Sequence, residues 1–336
     1  MSPHDSTEIA VLGAGSWGTA LSLLLCRNGY RVRLWDHAPE QIRALDCDRE
    51  NRRYLPGFSL PATLRPVEGL AEAVEGAGEL LIVVPSHAFA ETLRRLPDQL
   101  TDGLGIAWAT KGFEPETGRL LHQVAEEILG PRDLAVVSGP SFAKEVAMGL
   151  PTAVTVASRS LEHAQGVADC LHGDRFRAYT SQDLVGVQVG GAAKNVLAIA
   201  TGIADGLGFG ANTRAALITR GLAELIRLGI ALGGMQGTFM GLAGLGDLVL
   251  TCTDDQSRNR RMGLALARGL DIEEAKREIG QEVEGLITAR SVNAIARRLD
   301  VEMPICEQAY AVLYEGVTPE QATRSLLMRS SKAELS

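Results

Sequence analysis

The apolar run Glu8–Leu12 passes directly into Gly13-Ala14-Gly15-Ser16-Trp17-Gly18 and then into a helical pattern over Thr19–Arg27. A β-type run followed by G-x-G-x-x-G and a helix admits few folds, because each glycine answers a backbone demand. Gly13 permits a tight turn, Gly15 lets a ligand approach the main chain, and Gly18 lets the helix pack close to the strand. A helix starting here offers unpaired N–H groups and the positive end of its dipole to an anion. The spacing therefore predicts a strand–turn–helix unit that holds a dinucleotide pyrophosphate.

The first half of the chain continues the same alternation. Further strands are expected at Arg31–Trp35, Leu64–Val67, Leu80–Val84, Gly105–Ala109, Leu134–Val137, Ala153–Ala157 and Phe176–Tyr179. Helical patterns lie between them at Ala88–Leu96, Leu120–Leu129 and Leu161–Leu171, which implies a mostly parallel sheet covered on both faces. After Tyr179 the texture changes. Ser181 can cap a helix from Gln182 to about Ala204. Helical periodicity then runs through Thr213–Leu232, Arg261–Ala267, Ile272–Ile279, Ile287–Leu299 and Cys306–Tyr314. The fold class expected is α/β: an N-terminal Rossmann-like doubly wound sheet over residues 1–180 and an all-α C-terminal domain over 181–336. A chain of 336 residues is long enough for two cores.

Composition removes several classes. With 46% hydrophobic and 22% charged residues, the chain is neither disordered nor a coiled coil. A net charge of −8 argues against sequence-independent binding of nucleic acid. No run approaches the ~18 apolar residues of a membrane span, and Met1–Glu8 lacks the pattern of a signal peptide. A cytoplasmic location without membrane association is the expectation. The five cysteines contain no C-x-x-C and the six histidines no H-x-x-x-H, so neither a disulfide framework nor a metal site is expected.

Several residues stand where their chemistry is costly or exposed to a ligand. Lys194 sits mid-helix in G-G-A-A-K-N-V-L-A-I-A, with Gly190, Gly191, Leu197 and Ala198 at its helical neighbours and no acid on that face. A buried, unpaired ammonium is costly, so this lysine either loses its proton readily or faces a polar cleft. Both suit a general acid or base; the plainer alternative is a snorkelling or interface-paired side chain. Asp247 is a second isolated charge, in G-L-A-G-L-G-D-L-V-L-T. Ser257-Arg258-Asn259-Arg260-Arg261 gathers a hydroxyl, an amide and three guanidinium groups, which suits a phosphate or else a solvated helix end. Asp36 closes the second strand about 20 residues beyond the glycines, where a carboxylate meets a ribose, unless it is only a turn residue. Lys111, Gly139, Ser141 and His87 follow strand ends that face the ligand crevice.

Taken together, these segments resemble the bacterial-type NAD(P)-dependent glycerol-3-phosphate dehydrogenase family. The resemblance covers nearly the whole chain. It is carried by G-A-G-S-W-G-T-A, N-R-R-Y-L-P (Asn51–Pro56), V-V-P-S-H, W-A-T-K-G-F, S-G-P-S-F-A-K-E-V, G-G-A-A-K-N-V-L-A-I-A-T-G, A-G-L-G-D-L-V-L-T-C-T, Q-S-R-N-R-R and V-E-G. It implies reversible hydride transfer between NAD(P)H and dihydroxyacetone phosphate, giving sn-glycerol 3-phosphate for phospholipid synthesis. By motif match Lys194 is the proton acceptor or donor, and Lys111 helps polarise the carbonyl. Gly139, Ser141, Asp247, Ser257, Arg258 and Asn259 hold the substrate. The cofactor is met by Gly13, Gly15, Ser16, Trp17, Gly18, Asp36, His37, Lys111, Ala143, Arg258 and Glu284, with Glu282 contributing through its backbone carbonyl. Both NAD and NADP are expected to serve, NADH being preferred because the Asp36 carboxylate repels a 2′-phosphate. A homo-oligomer is left open. Two other readings remain: a related dehydrogenase of another hydroxy acid or sugar phosphate, and a non-catalytic dinucleotide-sensing regulator that would need no isolated lysine.

Overall fold

The structure, a computed structural model, describes residues 8–96, 100 and 103–329. Its strands are β1 (Glu8–Leu12), β2 (Arg31–Trp35), β3 (Glu50–Asn51), β4 (Leu55–Ser59), β5 (Leu64–Val67), β6 (Glu79–Ile82), β7 (Gly105–Trp108), β8 (Leu134–Ser138), β9 (Thr152–Ser158) and β10 (Phe176–Ser181). Eight of them form one sheet in the order β10-β9-β8-β7-β6-β1-β2-β5, while β3 and β4 make a separate hairpin. Every pairing in the large sheet is parallel except β8 with β9. The expected mostly parallel, Rossmann-like sheet is what forms.

β1 is central because its residues are apolar on both faces. Val11 lies level with Leu34 of β2 on one side and Leu81 of β6 on the other, all buried. From β1 the chain winds outward to β2 and β5, then returns past β1 to β6 and onward. The strand order thus reverses between β1 and β6, and the crevice beyond their carboxyl ends is where such sheets take ligands. The helix Ser16–Arg27 covers this region with Ala20, Leu21, Leu24 and Leu25, spaced to fall on one buried face.

The chain divides into two compact units. One takes in the chain to Glu114 together with Arg119–Gln188; the other takes in Pro115–Gly118 and the chain from Val189. Thr180, where the sequence places a boundary, stands in β10, and the division itself falls inside the helix Leu184–Gly206. Among the described residues no strand follows Ser181, so the second unit is helical, as expected.

Three local expectations need correction. Ser181 is not the helix cap: its hydroxyl accepts from Asp183 N–H, and the Asp183 carboxylate accepts from Gly186 N–H at the first turn. The helix expected from Arg261 begins at Arg258, because the Ser257 hydroxyl caps it by accepting from Arg260 N–H. Finally, Leu184–Gly206 is long and apolar enough to span a membrane by length and mean hydropathy, contrary to the expectation of no such run. Glycine and alanine lengthen its apolar stretch, and 89% of that stretch is buried within the protein.

Candidate active site

The glycine loop is built as the spacing predicts. Gly13 donates its N–H to Trp35 O at 2.8 Å and adopts φ +115°. A Cβ there would lie 2.6 Å from Val83 O, and one at Gly18 would lie 1.9 Å from Gly13 O. Both positions therefore require glycine, for conformation at the first and close packing at the second. At Gly15, the residue before the first helical turn, a Cβ would meet nothing within 4 Å. That opening lies over the helix N-terminus, where an anion is favoured.

Asp36 lies one residue past β2. Its carboxylate accepts from Ala14 N–H at 2.8 Å and Ala38 N–H at 3.1 Å, and lies 3.0 Å from His37 Nδ1. The carboxylate thus holds the glycine loop directly. Trp17 Nε1 is buried without a hydrogen-bond partner among the described residues, while His37 is exposed. Elsewhere in this unit Lys111 Nζ donates to Gly139 O at 3.1 Å, and Ser141 Oγ donates to the same oxygen at 2.9 Å. Two donors from different segments thus share one carbonyl. Ala143 opens the short helix Ala143–Met148, and His87 is exposed on the first turn of Ser86–Arg94.

In the helical unit Lys194 is not alone. Its ammonium donates to Asp247 Oδ1 at 2.5 Å and to Thr251 Oγ1 at 2.8 Å, and both charged residues are almost fully buried. The Thr251 hydroxyl in turn donates a hydrogen bond to Asp247 O at 2.6 Å. The absence of an acid on the lysine's own helix face misleads, because its partner arrives on another helix. Glycine explains how. Leu242–Gly246 is a π-helical turn leading straight into Asp247, and its Ala243 carbonyl sits where a Cβ on Gly190 would be, 2.4 Å away. Gly190 lies one turn before Lys194, so this backbone contact brings Asp247 level with the ammonium.

The Ser257–Arg261 run separates into different tasks. Arg260 is tied to Asp205 and, at 2.9 Å, to Asp255, while Arg214 holds the same Asp205 at 2.9 Å. It belongs to a structural ion-pair network, not to a receptor for phosphate. Asn259 spends both ends of its amide on the protein: Nδ2 donates to Asn195 Oδ1 at 2.9 Å, and Oδ1 accepts from Gly285 N–H at 2.9 Å. Arg258 is half-buried and makes no hydrogen bond or ion pair among the described residues. Burial pushes its guanidinium below its usual range, against the opposing pull of nearby Glu284 and Glu282. Arg261 is also half-buried, and its Nε has no partner among the described residues. Two guanidinium groups beside a capped helix N-terminus have the chemistry to receive an anion. Glu284 begins the helix Glu284–Leu299, and Glu282 is exposed just ahead of it.

Thr251 and Asn195 are participants that the sequence reading passed over. Thr251 stands four residues after Asp247, on the same helical face, which is the one signal that pointed to it.

The profile for NAD-dependent glycerol-3-phosphate dehydrogenase N-terminus matches residues 8–164, and that for the C-terminus of the same enzyme matches 183–324. A Stenotrophomonas maltophilia protein named glycerol-3-phosphate dehydrogenase, NAD(P)+, is 57% identical over 328 residues, 97% of this chain and 96% of that one. The chain belongs to this family. A Shewanella sediminis protein of the same name is 54% identical, covering 98% of each chain. The crystal structure of glycerol-3-phosphate dehydrogenase from Coxiella burnetii superposes with a TM-score of 0.94 at 50% identity, covering 96% of this chain and 99% of that one. The glycine loop fits the dinucleotide in the family's name: its opening at Gly15 is the place where a side chain is missing and a pyrophosphate has room.

Proposed function

We propose that this chain catalyses reversible hydride transfer between NAD(P)H and dihydroxyacetone phosphate, giving sn-glycerol 3-phosphate, a precursor of phospholipids. One observation carries the reading. Lys194 adjoins Asn195, Arg258 adjoins Asn259, and the two amides are hydrogen-bonded at 2.9 Å. The helices that carry a proton-transfer group and an anion-receptive guanidinium are therefore tied together at the residues next to both. Dihydroxyacetone phosphate offers a carbonyl to the first and a phosphate to the second.

The first unit binds the dinucleotide through Gly13, Gly15, Ser16, Trp17, Gly18, Asp36, His37 and Ala143, and Glu282 and Glu284 are cofactor positions carried over from the family resemblance. When bound, the dinucleotide supplies or accepts the hydride. Lys194 donates its proton to the C2 oxygen as negative charge develops there in reduction, and takes it back in oxidation. Asp247 keeps the ammonium in place and compensates its charge in a buried setting. Lys111, beside Gly139 and Ser141, polarises the carbonyl. Arg258, with Ser257 at the helix N-terminus and Arg261 nearby, holds the phosphate. Asn259 ties the helix that carries Arg258 to the one that carries Lys194. The ammonium groups stabilise an alkoxide more than a ketone, so their effect falls on the barrier.

The proposal extends to a cytoplasmic enzyme that acts on small molecules without a nucleic-acid or membrane partner, in keeping with the net charge of −8. Both dinucleotides serve, with NADH preferred. The test is nicotinamide absorbance with dihydroxyacetone phosphate and each reduced dinucleotide. Loss of absorbance only with this ketone is expected. Dinucleotide binding without turnover would favour a sensing regulator, and turnover of a different ketone a related dehydrogenase.

A further inference from the structure

The segment N-R-R-Y-L-P takes no part in the chemistry above, yet its first residue makes the most complete set of side-chain hydrogen bonds around the glycine loop. Asn51, at the end of β3, is fully buried. Its Nδ2 donates to Ala14 O at 2.9 Å and to Thr19 Oγ1 at 2.7 Å. Its Oδ1 accepts from Gln41 Nε2 at 3.0 Å and from Tyr54 N–H at 3.1 Å. A primary amide has two donor hydrogens and two acceptor lone pairs, and all four are engaged. The amide is therefore held in one orientation, and a change of side chain leaves buried partners unmet.

We infer that Asn51 is a positioning residue for the dinucleotide, one that aims the Gly15 N–H at the pyrophosphate. The planarity of the peptide bond couples the two groups. Ala14 C=O and Gly15 N–H belong to one trans peptide unit, so they point in opposite directions. Asn51 holds the carbonyl on one side of the loop, and the amide hydrogen must then face the other. Gly15 is where the loop is open, with nothing within 4 Å of a Cβ position. The preceding peptide is held too, since Ala14 N–H is donated to Asp36 Oδ2 at 2.8 Å. With its N–H and its C=O both held, Ala14 cannot rotate, and the phosphate meets a donor that needs no reordering. The same amide pins the turn whose exposed tip is Arg52 and Arg53, through Tyr54 N–H.

This inference rests on the dinucleotide reading above, and its test separates the two. The parent, Asn51→Ala and Thr19→Val are assayed for the KM of NADH and of dihydroxyacetone phosphate, for kcat, and for NADH affinity by tryptophan-to-nicotinamide energy transfer. Asn51→Ala is expected to raise the NADH KM and Kd by ~10-fold or more, the scale of one charge-assisted hydrogen bond. Its kcat at saturation and its KM for the ketone should stay within about twofold. Thr19→Val removes the other acceptor of Nδ2 but leaves the Ala14 clamp, and should move the NADH KM by less than about threefold. Equal NADH KM in parent and Asn51→Ala would overturn the inference, as would an equal rise in Thr19→Val. If Asn51→Ala does not fold, Asn51→Asp is read instead; it keeps the shape but replaces the donor to Ala14 O by an acceptor, and an NADH KM unchanged from the parent would then overturn the inference. A parent that binds no dinucleotide overturns the functional reading itself.

Discussion

Lys194 and Asp247 are 53 residues apart in sequence and 2.5 Å apart between Nζ and Oδ1. Each is buried, so each compensates a charge that would otherwise be stranded in the helical unit. Lys194→Ala should lower kcat by ~10²–10⁴-fold while leaving dinucleotide affinity unchanged. It should also cost about 3–5 kcal/mol of stability, because Asp247 loses its counter-charge. Replacing both residues by apolar ones should recover stability but not turnover. Steady-state kinetics and denaturant midpoints check the pair; near-normal kcat in Lys194→Ala would remove the lysine from the mechanism.

Arg258 and Arg260 are two residues apart and should respond to substitution in opposite ways. Arg258→Ala should raise the KM for the phosphorylated substrate and abolish competition by inorganic phosphate or sulfate, since its guanidinium has no protein partner among the described residues. Arg260→Ala breaks the bridges to Asp205 and Asp255, so its main effect should be lower stability. If Arg258→Ala kept both its KM and its anion inhibition, the phosphate would have to bind elsewhere.

Asp36 carries two separable predictions. Its carboxylate would accept from a ribose 2′-OH and repel a 2′-phosphate, so Asp36→Gly should shift the NADPH to NADH ratio of kcat/KM by ~1–3 kcal/mol towards NADPH. The same change strips the acceptor from Ala14 N–H, so the KM of both dinucleotides should rise. Paired kinetics with both cofactors tell the effects apart. A raised KM with an unchanged ratio would mean that Asp36 braces the loop and does not discriminate.

Glu79 predicts a pH dependence of stability. One of its oxygens is buried without a partner among the described residues, and burial pushes the carboxyl from 4.5 up to about 8. The folded chain keeps a proton that the unfolded chain releases above 4.5. Stability from this group is therefore full below 4.5, falls as the pH rises towards about 8, and is level beyond. Glu224 acts in the same direction, raised to about 7 by burial although Ile305 and Cys306 N–H groups donate to it. Glu79→Gln should make the decline shallower by up to a few kcal/mol across the window. Unfolding midpoints at about pH 5 and about pH 8 measure it. A slope equal to the parent's would assign the effect to other groups.

The sequence by itself determined the parts of this protein that depend on near neighbours. β1, the glycine turn and the helix Ser16–Arg27 follow from a β-branched run, three glycines and an apolar helical face, all within one short stretch. The helical second half was legible for the same reason, since periodicity reports which face of a segment is buried. What a functional group touches is a different matter. Nothing near Lys194 in sequence names Asp247, because their meeting depends on how closely two helices approach, and that is set where Gly190 admits the Ala243 carbonyl. Nor does the run Ser257–Arg261 reveal which guanidinium is committed. Successive residues on a helix point about 100° apart, so Arg260 reaches Asp205 while Arg258 makes no ion pair among the described residues. Asn51 shows the same limit at the glycine loop, where four partners from separate segments engage one amide. Local order is written in local pattern, whereas partnership between distant polar groups is decided only when packing removes water from both.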